Sequence, residues 1–140
     1  MPISTAKLAN AASPIPSFVH QACITKTATT SFTSGTALSS AIDLRNPDLF
    51  GFSPLIIVTP AAWTAAVITA QLSLDGITWS DIHLLAGEFT TTGTVLANQA
   101  HVLTGYPFRG VPFIRFRSGN AATPVNQAAD RVVTIICGTL

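Results

Sequence analysis

From Phe18 onward, turn-forming residues punctuate the chain roughly every 8 to 12 positions, and many of the runs between them alternate apolar with polar side chains. No long segment carries the 3.6-residue period of an amphipathic helix. Strands of this kind each have one face to hide. In a chain of 140 residues, eight or so of them pack most simply as an antiparallel β-sandwich, jelly-roll-like in form.

The runs can be placed one by one. FVHQACITK at 18–26 reads as a first strand and TALSSAIDL at 36–44 as a second, linked by the Thr, Ser and Gly of 29–35. Pro47 and Asp48 mark a turn. PLIIVTP at 54–60 is a continuous apolar run closed by proline at both ends, the pattern of a middle strand buried on both faces. In the next segment Ile68, Ala70, Leu72 and Leu74 share one face, and Val67, Thr69, Gln71 and Ser73 the other. Asp75-Gly76 then predicts a two-residue type I′ hairpin pairing 64–74 with 77–85. The Thr-rich 87–99 reads as one strand and a loop. VPFIRFRS sets Ile114 and Phe116 against Arg115 and Arg117 on an outward face, and RVVTIICGTL closes the chain as a last strand. Residues 1–17, poor in large apolar side chains and ending in Pro14 and Pro16, read as an extended arm, leaving 18–140 as one domain.

Composition narrows the function classes. Seven basic and six acidic residues make only 9% charged, against about 25% in ordinary soluble domains, while Ala, Thr and Ser number 20, 19 and 11. So few charges suit a surface that lies against neighbours, where desolvating ions would be costly. A net charge of +1 argues against specific nucleic-acid binding as the main role. The uncharged stretch from Leu49 to Leu74 is interrupted by Pro54, Pro60 and Gln71 and does not read as a membrane span, and no apolar leader follows Lys7. Cys23 and Cys137 are too few for a disulfide framework and read as buried thiols of a protein assembled in a reducing cytoplasm.

Three stretches, SGTALSSAIDL, PAAWTAAVITAQLSLDGITWSDI and IRFRSGNAATPVNQAADRVVTII, together spanning roughly residues 34 to 138, resemble a family of small virion structural proteins of tailed bacteriophages and prophages. The most specific part is Ile114, Arg115, Arg117, Ser118, Gly119 and the run Pro124 to Arg131. Ser73, Asp75, Gly76 and Trp79 also resemble the hairpin of discoidin-like jelly rolls. The first resemblance implies a non-enzymatic part of a phage particle, assembled in the host bacterial cytoplasm. Its partners would be the major capsid protein or other virion proteins, with a homo-oligomer, a trimer favoured, as its own state.

Candidate contacts follow. Ile3, Leu8, Pro14, Ile15 and Pro16 of the arm, outward Arg115 and Arg117, and Asn126 and Gln127 of the loop SGNAATPVNQAADR are the expected assembly residues, though that loop also reads as an internal plug braced by Asp130. Trp63, Trp79 and Tyr106 are candidate glycan contacts, with core packing the competing reading for the tryptophans. Catalytic chemistry finds little support. There is no G-x-S-x-G elbow, no P-loop and no CxxC pair, His83 beside Asp81 reads as a surface hydrogen bond, and Asp81 with Glu88 is the only close carboxylate pair, for acid/base work or a calcium ion. The expectation is no catalytic residue, no cofactor and no metal.

Overall fold

The computed structural model describes residues 25–103, 108 and 110–138. These residues contain ten strands and no helix: β1 (Thr25–Phe32), β2 (Ile42–Asp43), β3 (Ser53–Val58), β4 (Ile68–Ser73), β5 (Ser80–Asp81), β6 (His83–Leu84), β7 (Gly87–Glu88), β8 (Ala100–Val102), β9 (Phe113–Ser118) and β10 (Arg131–Gly138). Eight of them form two four-stranded antiparallel sheets, ordered β1-β10-β3-β8 and β2-β9-β4-β5, and β6-β7 is a separate hairpin. Setting that hairpin aside, the chain changes sheet at every connection except β4 to β5.

Alternation puts one apolar row of each sheet inside. Phe32, Ile57, Val133, Ile135 and Cys137 from the first sheet meet Ile42, Ile68, Ala70, Ile114 and Phe116 from the second in a single core. Phe108 bridges Phe89 and Phe116 edge to face, and Phe32 meets Trp63 in the same way at 5.1 Å. The all-β sandwich expected from the periodicity is the fold observed.

Several expectations need correction. The first strand runs over Thr25–Phe32, so most of the segment expected to be a linker is strand; its threonines are β-branched and fit a half-buried pleat despite their polarity. The second shrinks to Ile42–Asp43, preceded by isolated bridges at Leu38 and Ser39. β3 is an interior strand, as its prolines suggest, but Leu55, Ile56 and Val58 are only partly covered, so it is not buried on both faces. The hairpin at Asp75-Gly76 is not a two-residue turn. Leu72 pairs with Ser80 and Gln71 with Asp81, leaving a loop from Leu74 to Trp79. Gly76 has φ +77°, whereas Asp75 is not among the positive-φ residues, as type I′ would require. Instead the Asp75 carboxylate accepts from the N–H groups of Ile77 and Thr78, both at 2.8 Å, and from the Ser73 hydroxyl. Those bonds, the backbone ones first, hold its pKa down at about 2.

Candidate functional site

The outer face of the β1-β10-β3-β8 sheet follows from register. Thr29, Thr134, Val58 and Ala100 form one cross-strand row; Thr27, Ile136, Ile56 and Val102 form the next; Ser31 and Val132 begin a third. None of these side chains can ionise. Val102 is 68% exposed and Val132 56%. The sheet therefore presents water with threonine, alanine and branched apolar side chains, and the low charge of the composition is concentrated here as a continuous uncharged plane.

The outer face of the other sheet is polar and internally braced. Arg117 on β9 is 8% exposed and donates from Nη2 to Asp81 Oδ1 at 2.5 Å and from Nη1 to Glu88 Oε2 at 2.9 Å. The β6-β7 hairpin returns Glu88 to this point, and Glu88 also accepts from the Ala121 N–H. Asp81 lies below the usual carboxylate range. Burial pushes its pKa up, but hydrogen bonds from Gln71 and Arg117, with the Arg117 charge, outweigh it. One row along, Arg115, Gln71 and Asp81 face one another across β9, β4 and β5. Arg115 Nε donates to Gln71 Oε1 at 2.8 Å, Gln71 Nε2 donates to Asp81 Oδ1 at 2.9 Å, and the Arg115 guanidinium lies 4.3 Å from the Trp79 ring centroid.

The fold separates the residues predicted from sequence. Arg115 and Arg117 share the predicted face, but Arg117 is enclosed by its two carboxylates, which leaves it little surface to offer a partner. Asp81 and Glu88 do come together, around a guanidinium; the place considered for calcium is taken by the protein's own cation. His83 is exposed, and its Nδ1 lies 3.3 Å from the Asp81 carbonyl oxygen, a local hydrogen bond. Gln127 is fully buried. Its Oε1 accepts from Thr64 N–H at 2.8 Å, and its Nε2 donates to Thr64 C=O at 3.0 Å and Ser118 Oγ at 2.8 Å, which makes it the internal plug and not a lip contact. Asp130 braces the β1–β2 connection by accepting from Ser34 N–H at 2.7 Å.

Asn126 is exposed beside an open groove of about 590 Å³ that Ser31, Thr33, Thr36 and Ser40 also line. Two of the hydroxyls there are already engaged: Thr36 Oγ1 donates to Thr33 C=O and Ser40 Oγ accepts from Ser31 N–H. Trp63 is core, packed on Phe32, because regular strand begins only at Ile68 and alternation cannot be counted back to it. Trp79 is partly buried, with one ring face covered by Arg115. Cys137 is a buried thiol whose pKa burial raises to about 11, an unreactive group. Ile3, Leu8, Pro14, Ile15, Pro16, Cys23 and Tyr106 lie outside the described residues.

Comparison with protein-family models, curated proteins and solved structures returns no match. Sequence reading missed the uncharged sheet face, whose signal was present as alternate positions of TKTATTS, PLIIV and RVVTII. It also missed the Arg117 carboxylate clamp, which no local spacing announces. Among the described residues, no helix is long and apolar enough to cross a membrane.

Proposed function

We propose that this chain is a non-enzymatic structural protein of a bacteriophage virion, a capsid decoration or cement protein that acts as a homo-oligomer, a trimer favoured. The observation that carries the proposal is the uncharged outer face of the β1-β10-β3-β8 sheet. Placing such a face against another protein removes apolar surface from water and desolvates no ion. The three stretches that resemble phage virion proteins supply the kind of partner. The order β1-β10-β3-β8 over β2-β9-β4-β5 supports the finer reading of the sandwich as a jelly roll, a common architecture of capsid domains.

Area decides what else is needed. With strands about 4.8 Å apart and same-face rows about 6.8 Å apart, four strands and three rows give on the order of 300–400 Å². A stable interface takes about 800 Å² from each partner. The remaining contact is assigned to residues 1–17, a length of chain that could reach at most about 56 Å. Protein that binds only the assembled lattice stabilises that lattice by mass action.

The same surface also suits a neck, tail or head-fibre subunit. A carbohydrate-binding module gains less support, since Trp63 is buried and Trp79 is half covered. The test is cosedimentation with phage heads that lack the protein. Wild-type chain should pellet with the heads, and Val102→Lys with Ile56→Lys, or deletion of residues 1–17, should leave it in the supernatant. Pelleting of all three proteins alike would refute the assignment of this face and the arm.

A further inference from the structure

Of the four strands at the margins of the two large sheets, β8, β2 and β5 have three, two and two residues, and edges that short offer little backbone to a stray strand. β1 is the exception. It runs for eight residues, pairs with β10 in unbroken register from Thr25↔Gly138 to Phe32↔Arg131, and contains no proline. Its one charged residue, Lys26, holds its ammonium 5.4 Å from the Phe52 ring centroid.

Two sets of hydrogen bonds fix which backbone groups of β1 are open. Ser31 C=O accepts from Ser40 N–H at 2.8 Å, and Ser31 N–H donates to Ser40 Oγ at 3.0 Å, so both main-chain groups of Ser31 point away from β10. On β3, Leu55 C=O accepts from Leu103 N–H and Thr59 N–H donates to Gln99 C=O, so Ile56 and Val58, of the other parity, face β10. Their register partners Ile136 and Thr134 therefore face β3, which leaves Val133 and Ile135 to bond Thr30 and Ala28. Sides alternate residue by residue along an antiparallel strand. Thr25, Thr27 and Thr29 thus direct N–H and C=O outward with Ser31, and among the described residues none of these six groups has a partner. All three threonines are exposed. Along the first part of this edge an open groove of about 530 Å³ lies between Thr25, Lys26 and Thr27 on one side and Asn46, Asp48 and Leu49 on the other.

We propose that the open edge of β1 takes an extended strand from a second copy of the chain, supplied by residues 18–24 (FVHQACI) of that copy. Those residues lie outside the described structure and end where β1 begins. A row of three unused N–H and three unused C=O groups is matched by another extended backbone. Phe18, Val19 and Ile24 are strand formers, and a segment without Asp, Glu, Lys or Arg suits an edge whose open residues are threonines. The chain's own copy of the segment joins Thr25 directly, so it returns to β1 only through a tight hairpin. Between Phe18 and Thr25 there is no Gly, Asn, Asp or Pro to make one, and β-branched Ile24 resists the positive φ that such turns require. A neighbouring copy is free of that constraint. Its segment, up to about 24 Å long when extended, exceeds the roughly 14 Å from Thr25 to Thr29. Passed from copy to copy, the contact is head-to-tail and closes as a ring, in keeping with the trimer favoured above. It rests on the homo-oligomer in that reading but needs neither the phage head nor the uncharged face, so the cosedimentation test and the one below fail separately.

The experiment uses the full chain, labelled with nitrogen-15, and combines sedimentation velocity with amide hydrogen exchange. Wild type should sediment as an oligomer at micromolar concentration, with the Thr25, Thr27 and Thr29 amides protected. Thr27→Pro removes an N–H that faces away from β10, a place where an edge strand admits proline, so the fold should persist while association weakens about tenfold or more. The double variant His20→Pro with Gln21→Pro removes one N–H of each parity from the added strand and should weaken association equally. It leaves β1 untouched and keeps the test open if Thr27→Pro fails to fold. A monomeric wild type would overturn the proposal, in favour of the chain's own segment if the three amides are protected, and of an empty edge if they exchange freely. Association that survives the double variant but not Thr27→Pro would overturn it in favour of β1 pairing with β1 of a second copy. Association indifferent to all the prolines would overturn it by placing the contact elsewhere.

Discussion

Replacing Arg117 with methionine keeps much of the side-chain volume and removes the charge that Asp81 and Glu88 surround. Breaking one side of a buried ion pair costs about 3–5 kcal/mol, chiefly because the remaining charges stay desolvated. Here the two carboxylate side chains keep 27% and 21% of their exposure, so water screens part of the penalty. That places the loss at the low end, about 2–3 kcal/mol at pH 7. For a domain of about 120 residues, as expected for 18–140, this lowers Tm by about 8–12 °C. The pH dependence has a definite sign. In the wild type the Asp81 pKa is depressed, so its contribution is present above the ordinary carboxylate value and is lost as pH falls through the folded one. Without Arg117 the Gln71 hydrogen bond still opposes burial, but the bond and charge of the guanidinium are gone, so that pKa rises from its wild-type position and acid narrows the variant's deficit. Differential scanning calorimetry between pH 7 and pH 4 should find the gap in Tm narrowing on acidification. Adding Asp81→Asn and Glu88→Gln should return at least half of the lost stability, because removing a whole ion cluster costs less than orphaning part of it. A Tm unchanged by Arg117→Met, or a gap that widens in acid, would refute this reasoning.

Gln127→Leu leaves the Thr64 N–H, the Thr64 carbonyl and the Ser118 hydroxyl without the partners described above; a loss of about 3 kcal/mol should lower the urea midpoint by about 1–2 M. Gly119→Ala should be comparably damaging, by about 3 kcal/mol in the same assay, because its φ is +87° and a Cβ there would stand 2.5 Å from the Thr123 carbonyl oxygen and 2.6 Å from Val125 N. Asp75 should titrate with a midpoint near 2 when followed by the Ile77 and Thr78 amide signals. Because that pKa is depressed, the loop's added stability holds above the ordinary carboxylate value and disappears only as pH falls towards 2; a midpoint near 4 would contradict the hydrogen-bonded loop.

What the sequence made legible was the part governed by period two. PLIIV, FIRFRS and RVVTIICG became β3, β9 and β10, and the inward side of β4 is Ile68 and Ala70 as alternation places them. Threonine-rich segments were the weak point. TKTATTSF looks polar enough for a linker, but threonine suits a strand whose outer face is uncharged. Asp75-Gly76 carried a correct turn signal and the wrong turn type, because the aspartate side chain captured the backbone donors that a tighter hairpin would have left elsewhere. Arg115 and Arg117 read alike in sequence. They differ because Glu88, far away in the chain, reaches one of them and not the other, and alternation carries no information about that. Gln127 is a similar case, since its three partners come from the segment before β4 and the end of β9.

The central proposal is that the uncharged plane built from Val102, Val132, Ile56 and Ile136 is covered by a neighbouring protein in a phage particle. Electron cryomicroscopy of virions that carry this chain tests it most directly. The account predicts density from an adjacent subunit packed onto those side chains. A map in which that plane faces open solvent, with its neighbours attached elsewhere, would contradict it.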